Sequence, residues 1–189
     1  MGRCGRMKTR SSDVVMVSLF AALTAVGAFL KIPIPHVPLT MQTLMVMFAG
    51  LVLGSRLGAM SQLLYLVIGL LGLPIFAQGG GPGYVIQPSF GFLIGFIAGA
   101  YVIGRITEGR EEIGVYRLLA ALILGQLAIY AFGIPYLFIN LNYILKKPAS
   151  FPTVIKFGFL FFLPGDILKT LLAITVLAPI RQRIVRFIS

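Results

Sequence analysis

Asp166 is the one carboxylate inside a long apolar run, FFLPGDILKTLLA, and Lys169 follows it by three residues. On a helix that spacing puts both side chains on one face, one turn apart. A charge at membrane depth costs at least about 2.5 kcal/mol, and an opposite charge within reach lowers that cost. Pro164 and Gly165 stand immediately before the pair, so the helix begins or is broken there. Such a pair either binds a polar ligand inside a helix bundle or merely neutralises itself while fixing the packing. Ionisable groups inside membranes are rare and mostly line substrate or ion pathways, which favours the binding reading. The other acids do not compete. Asp13 borders an apolar run, and Glu108, Glu111 and Glu112 share the polar stretch RITEGREEIGVYR.

A second candidate is the uncharged segment PIFAQGGGPGYVIQP, residues 74–88. The backbone N–H groups of Gly79, Gly80 and Gly81 can cradle an anion such as a carboxylate, and equally they can form a plain turn between two spans. No Lys-Ser/Thr ending follows, so nucleotide phosphates are not the expected guest. Gln78, Tyr84 and Gln87 add polar side chains beside the turn. His36 is a lone histidine without companion ligands for a metal. The single cysteine, Cys4, leaves no disulfide framework or thiolate cluster to expect. No Ser/His/Asp, Cys/His or zinc-protease arrangement occurs, so neither catalytic residues nor a resident metal or cofactor is expected.

What must position these residues is a membrane-embedded bundle. Of 189 residues, 58% are hydrophobic and 11% charged, and the mean hydropathy is +0.98. A soluble domain carries roughly 25% charged residues. A span needs about 20 apolar residues, so the length allows roughly six and no separate nucleotide-hydrolysing module. The apolar runs fall at about residues 14–30, 41–54, 57–73, 90–104, 118–139 and 158–180. The expected architecture is one all-α integral membrane domain over residues 1–189, a six-helix bundle with residues 1–13 as a cytoplasmic tail. Residues 41–54 and 57–73 read as a hairpin closed at Ser55-Arg56, and the prolines of KIPIPHVPLT impose an extended path before it. Ala21 and Ala25 form a small-xxx-small stripe that lets a helix pack closely, from the same bundle or from a partner.

The net charge of +11 would suggest nucleic acid in a soluble chain. Here the basic residues sort by side instead. Arg3, Arg6, Lys8, Arg10, Arg56, Arg105, Arg110, Arg117, Arg181, Arg183 and Arg186 fall on one side of a six-span topology, and Lys31, Lys146, Lys147 and Lys156 on the other. The richer side is cytoplasmic by the positive-inside rule, which places both termini there and no nucleic acid among the partners. The proline, glycine and lysine loops then share the outer face, where a captured solute arrives.

Three segments carry a family resemblance: PHVPLTMQTLMVMFAGLVLGSRLGA (residues 35–59), LYLVIGLLGLPIFAQGGGPGYVIQPSFGFLIGF (residues 64–96) and FLPGDILKTLLA (residues 162–173). The chain resembles the BioY family, the biotin-specific S components of energy-coupling factor (ECF) vitamin transporters. The resemblance covers nearly the whole chain, and Asp-x-x-Lys after Pro-Gly is its most specific part. It implies a multi-pass protein of a prokaryotic cytoplasmic membrane, with biotin as the transported ligand and Asp166 and Lys169 on its head group. It also implies partners: a transmembrane coupling subunit, docked on the Ala21/Ala25 stripe, and two ATP-binding-cassette ATPases. Tyr84, Gln87, Gly79, Gly80, Gly81, Thr40 and Gln42 complete the candidate binding set. The glycine-loop amides, Thr40, Gln42 or an outer lysine stand open as donors to the ligand's carboxylate. The rival readings are an S component for thiamine or riboflavin, and an intramembrane enzyme using Asp166 and Lys169 as an acid–base pair.

Overall fold

The computed structural model describes residues 11–33, 36–109 and 113–177. The expected tail up to residue 10 and the last residues of the 158–180 run lie outside the described residues. Five helical stretches among those described are long and apolar enough to cross a membrane: Ser11–Phe29, Gln42–Leu70, Phe90–Thr107, Val115–Ile144 and Phe151–Val176.

Helix α1 (Ser11–Phe29) leads into a two-stranded antiparallel ribbon, β1 (Lys31–Ile32) against β2 (Leu39–Thr40). The prolines that forbid a helix here leave the extended path that the ribbon takes up, a small departure from an all-α chain. Met41 N–H then donates to the carbonyls of Gly27 and Leu30, both at 3.1 Å, which seats the start of α2 (Gln42–Leu70) against the end of α1.

Although α2 is one uninterrupted stretch of 29 residues, it is not straight. Gly54 has φ 76° and ψ −169°, outside the helical region, and only glycine adopts that combination without strain. The chain reverses there. A Cβ on Gly58 would lie 3.2 Å from the carbonyl oxygen of Ala49 and 3.2 Å from Cα of Gly50, which a straight helix keeps more than ten ångströms away. The expected hairpin is present, with its turn at Gly54 rather than Ser55-Arg56, because the required backbone angles fall on the glycine. Its second limb ends at Leu70, three residues short of the expected Leu73.

A glycine-rich loop with a 3-10 turn (Pro82–Ile86) leads to α3 (Phe90–Thr107), and α4 (Val115–Ile139) runs back along it. The two helices touch backbone to backbone. A Cβ on Gly95 would sit 2.6 Å from the Ile129 carbonyl oxygen, so any larger residue would push α4 away. After a π-helical turn (Asn140–Ile144) the last stretch is assembled from α5 (Phe151–Ile155), another π turn (Lys156–Leu160) and α6 (Leu163–Leu172), followed by Ala173–Leu177. It begins at Phe151 rather than near residue 158, since Pro152 is accommodated in the first helical turn.

Side-chain contacts sort the connections into two ends. At one end the Gly54 turn meets the end of α3, where Glu108 accepts from Ser55 N–H at 3.0 Å and from Ser55 Oγ at 2.6 Å. At the other, Lys31 donates to the Ala77 carbonyl, Asn140 Nδ2 to Ile86 at 2.8 Å and Tyr136 to Val85, while the His36 and Phe157 rings meet edge to face at 5.6 Å. The proline, glycine and lysine loops therefore gather at a single end, over a core that includes Val46, Tyr65, Phe76, Phe92, Phe96, Ile129 and Phe162.

Candidate functional site

Asp166 and Lys169 are the two buried residues of α6, with 5% and 3% of their surface exposed, whereas Leu163, Ile167, Leu168 and Leu171 are all exposed. In a soluble helix this would be inside out. In a bilayer it is the arrangement that hydrocarbon favours, with leucines toward lipid and the charged pair toward the bundle. Asp166 lies in the first turn of α6, where the helix dipole favours a negative charge, and Lys169 near the last.

The pair is tied on both flanks. Lys169 Nζ stands 3.2 Å from Asp166 Oδ1 and donates to Thr43 Oγ1 at 2.7 Å, while the Tyr130 hydroxyl donates to Asp166 Oδ2. Three elements thus meet at one carboxylate–ammonium pair: α6, the first limb of α2 through Thr43, and α4 through Tyr130. Beside them Thr40 Oγ1 donates to Gln42 Oε1 at 2.9 Å, and Gln42 Nε2 to the Tyr65 hydroxyl at 2.8 Å. Across the site the Tyr84 and Ser89 hydroxyls lie 3.0 Å apart.

These groups wall a narrow cavity beneath the end where the loops gather. Its polar lining is Thr40, Gln42, Thr43, Tyr84, Ser89, Gln126, Tyr130, Asp166 and Lys169, and its apolar lining includes Val37, Phe92, Leu93, Phe96, Ile129 and Phe162. Phe92 and Phe162 stack at 6.2 Å with an interplanar angle of 22°, giving one side a flat aromatic wall. Five of the sequence candidates converge here: Asp166, Lys169, Tyr84, Thr40 and Gln42. The remaining binding candidates, Gly79, Gly80, Gly81 and Gln87, lie outside the lining. Gly79 N–H donates to Phe76 and Gly81 N–H to Gly69, and a Cβ on Gly80 would fall 2.0 Å from the Leu73 carbonyl oxygen. The loop's glycines close a turn that presses Phe76 and Tyr84 onto the core.

Thr43, Ser89, Gln126 and Tyr130 were not among the sequence candidates. Thr43 was legible as the next hydroxyl after Thr40 in PLTMQTL, and Gln126 and Tyr130 as polar residues four apart in an apolar span, hence on one face. Ser89 offered no such signal. The Ala21/Ala25 stripe faces inward: Ala21 is 5% exposed and belongs to the chain's own core, and Ala25 packs against that core. The lipid-facing side of α1 is instead Leu19, Ala22 and Val26.

Among the described residues no three His, Cys, Asp or Glu side chains gather as metal ligands do. What the arrangement can do is hold, without bond-making, a small molecule that pairs amide-like donors and acceptors with an apolar body.

Comparison with known proteins leads to the same place. The family model described as "BioY family" matches residues 5–186. The chain belongs to the BioY family. A BioY relative in Lysinibacillus sphaericus, named a probable biotin transporter, is 50% identical over 147 residues, covering 78% of this chain and 75% of its own. The biotin transporter BioY of Thermotoga maritima is 35% identical over 162 residues, covering 85% and 90%. A crystal structure described as the S-component for biotin from an ECF-type ABC transporter superposes with a TM-score of 0.73 at 25% identity, covering 90% of this chain and 91% of that one. The fold built from the Gly54 hairpin, the loop end and the buried pair is thus the fold of that S-component.

Proposed function

We propose that this BioY-family protein is a transporter subunit that captures biotin and delivers it across the cell membrane as the substrate-binding S component of an ECF-type transporter. The observation that carries the reading is the buried Asp166–Lys169 pair, tied to Tyr130 and Thr43 at the wall of an apolar cavity. Biotin's ureido ring offers two N–H donors and one C=O acceptor, next to an apolar bicycle and valerate chain. Asp166 accepts one ureido N–H, a charge-assisted bond of about 1.5–3 kcal/mol. Lys169 donates to the ureido oxygen while balancing Asp166, and the Phe92–Phe162 wall covers the ring system. Gln42, whose amide keeps a second N–H beside the one given to Tyr65, and Thr40, once its hydroxyl turns from Gln42, are donors for the carboxylate.

The chain acts as a single substrate-binding domain that crosses a prokaryotic cytoplasmic membrane six times, with both termini inside. Counting the folded-back α2 as two crossings supports the number. Arg56, Arg105 and Arg117 flank the Gly54-turn end while Lys31, Lys146, Lys147 and Lys156 flank the loop end, a bias that supports the orientation. ATP hydrolysis resides in two partner ATPases, joined to this protein by a transmembrane coupling subunit, and the outer loops close over bound ligand.

The test is equilibrium binding of biotin to the detergent-purified protein, with desthiobiotin, thiamine and riboflavin as competitors. Saturable binding displaced by desthiobiotin alone among the competitors is the expected result. Displacement by thiamine or riboflavin, or no binding by a folded sample, overturns the reading.

A further inference from the structure

Among the described residues two buried side-chain polar atoms have no hydrogen-bond partner, Gln126 Oε1 and Asn140 Oδ1. Asn140 lies away from the cavity; Gln126 lines it. A buried acceptor without a donor is costly, so its presence at a cavity wall asks what satisfies it.

The orientation of the Gln126 amide follows from its neighbours. The Tyr130 hydroxyl gives its hydrogen to Asp166 Oδ2, so toward Gln126 its oxygen can only accept. Gln126 lies one helical turn before Tyr130 on the same face of α4, and with its NH₂ group turned to that hydroxyl its carbonyl oxygen is left over. Several of the cavity's other acceptors are engaged: Gln42 Oε1 takes Thr40, Thr43 Oγ1 takes Lys169, and one of the Tyr84 and Ser89 hydroxyls accepts from the other. A crevice between α4 and α6 also reaches Gln126; it is lined mainly by apolar residues such as Leu119, Ile123, Leu127, Leu163 and Ile167, with the hydroxyls of Thr170 and Tyr130 as its donors, and neither is bonded to Gln126 Oε1.

The geometry points to Gln126 Oε1 as a specificity-determining acceptor that takes an N–H of the bound ligand. This rests on the biotin reading and deepens it. Asp166 serves one flank of the ureido carbonyl, and the N–H on the other flank requires a second acceptor. The side chain then discriminates between a cyclic urea with both N–H groups and one alkylated at a ring nitrogen, since a methyl there leaves Oε1 buried and unpaired.

The experiment measures binding of biotin and of its two ring-N-monomethylated derivatives to wild-type protein and to Gln126→Met, which keeps the volume and removes the acceptor. Wild type is expected to reject both derivatives. Gln126→Met is expected to bind biotin about tenfold more weakly and to lose its discrimination against one derivative, while keeping it against the other. Gln126→Leu is the second variant should Met repack, with the same pattern expected. Equal biotin affinity with an unchanged derivative pattern overturns the inference alone. Wild-type protein that does not bind biotin overturns the biotin reading, and this inference with it.

Discussion

Asp166 and Lys169, joined at 3.2 Å, are the two fully buried residues of α6. Polar bonds to Tyr130 and Thr43 therefore help attach the helix to the bundle, with Leu163, Leu168 and Leu171 left to lipid. The same bonds that position a ligand pair hold the last helix in place.

That double role separates single from paired substitutions. Removing one partner of a buried ion pair leaves an uncompensated charge and costs about 3–5 kcal/mol, whereas replacing both with apolar residues is often neutral. Asp166→Leu and Lys169→Leu are each expected to lower the thermal unfolding temperature in detergent. The double variant should regain much of that stability while binding no biotin. A double variant that retains affinity would remove the pair from the site.

Tyr130→Phe tests the other flank. It deletes the hydroxyl that donates to Asp166 and keeps the ring that meets Phe92 at 6.2 Å and Phe159 at 4.9 Å. A hydrogen bond to a charged group contributes about 1.5–3 kcal/mol, so biotin affinity should fall roughly 10- to 100-fold, and the unfolding temperature should fall as well because the same bond holds α6. Unchanged affinity in a titration would show that Asp166 needs no orienting donor.

The parts of this architecture legible in the sequence are those written in local pattern. Hydropathy marked the five helical stretches that are long and apolar enough to cross a membrane among the described residues, and Asp-x-x-Lys declared itself because a charge in hydrocarbon is so costly. The hairpin was legible from Ser55-Arg56 between apolar runs, although its turn falls on Gly54. What sequence could not convey was which polar atoms meet across helices. Gln42 and Tyr65 lie 23 positions apart and bond at 2.8 Å only because α2 reverses, and Tyr130 reaches Asp166 across 36 positions. The glycine loop could not be read for a related reason. Its composition permits both an anion cradle and a tight turn, and only the destinations of its N–H groups separate the two.

Gly104 places a sharp demand on the turn end. A Cβ there would sit 2.2 Å from the Gly54 carbonyl carbon and 2.2 Å from Ser55 N, with no flexible side chain to give way. Gly104→Ala should therefore separate α3 from the hairpin and destabilise the protein by about 1–3 kcal/mol, the range for overpacking. Thermal unfolding in detergent reads this directly, and an unshifted midpoint would mean that the turn is not packed as described.

At the same end, hydrogen bonds from the Ser55 side chain and backbone, with a smaller contribution from Arg105, hold the Glu108 carboxyl below its ordinary value of 4.5. A group whose folded value is depressed stabilises the fold above its unfolded value, and that contribution is lost as pH falls through the lower, folded value. Wild type should thus lose a small increment of stability below about pH 4.5, the ordinary value. Glu108→Gln should lack that increment at neutral pH and show a flatter acid profile. Matching profiles for the two proteins would remove the clamp.

Ala21 gives the most direct test of how α1 is used. Its side chain is 5% exposed and packs in the chain's own core, while Ala22, one position on, faces outward. Ala21→Leu adds three carbons where there is no room, at a cost of about 1–3 kcal/mol. It should lower the unfolding temperature of the isolated protein and weaken biotin binding together. Ala22→Leu should leave both unchanged, so any loss of copurification with a coupling subunit in that variant reports docking alone. Were Ala21→Leu to spare stability and ligand binding yet abolish copurification, α1 would have to turn its Ala21 face outward in the assembled transporter.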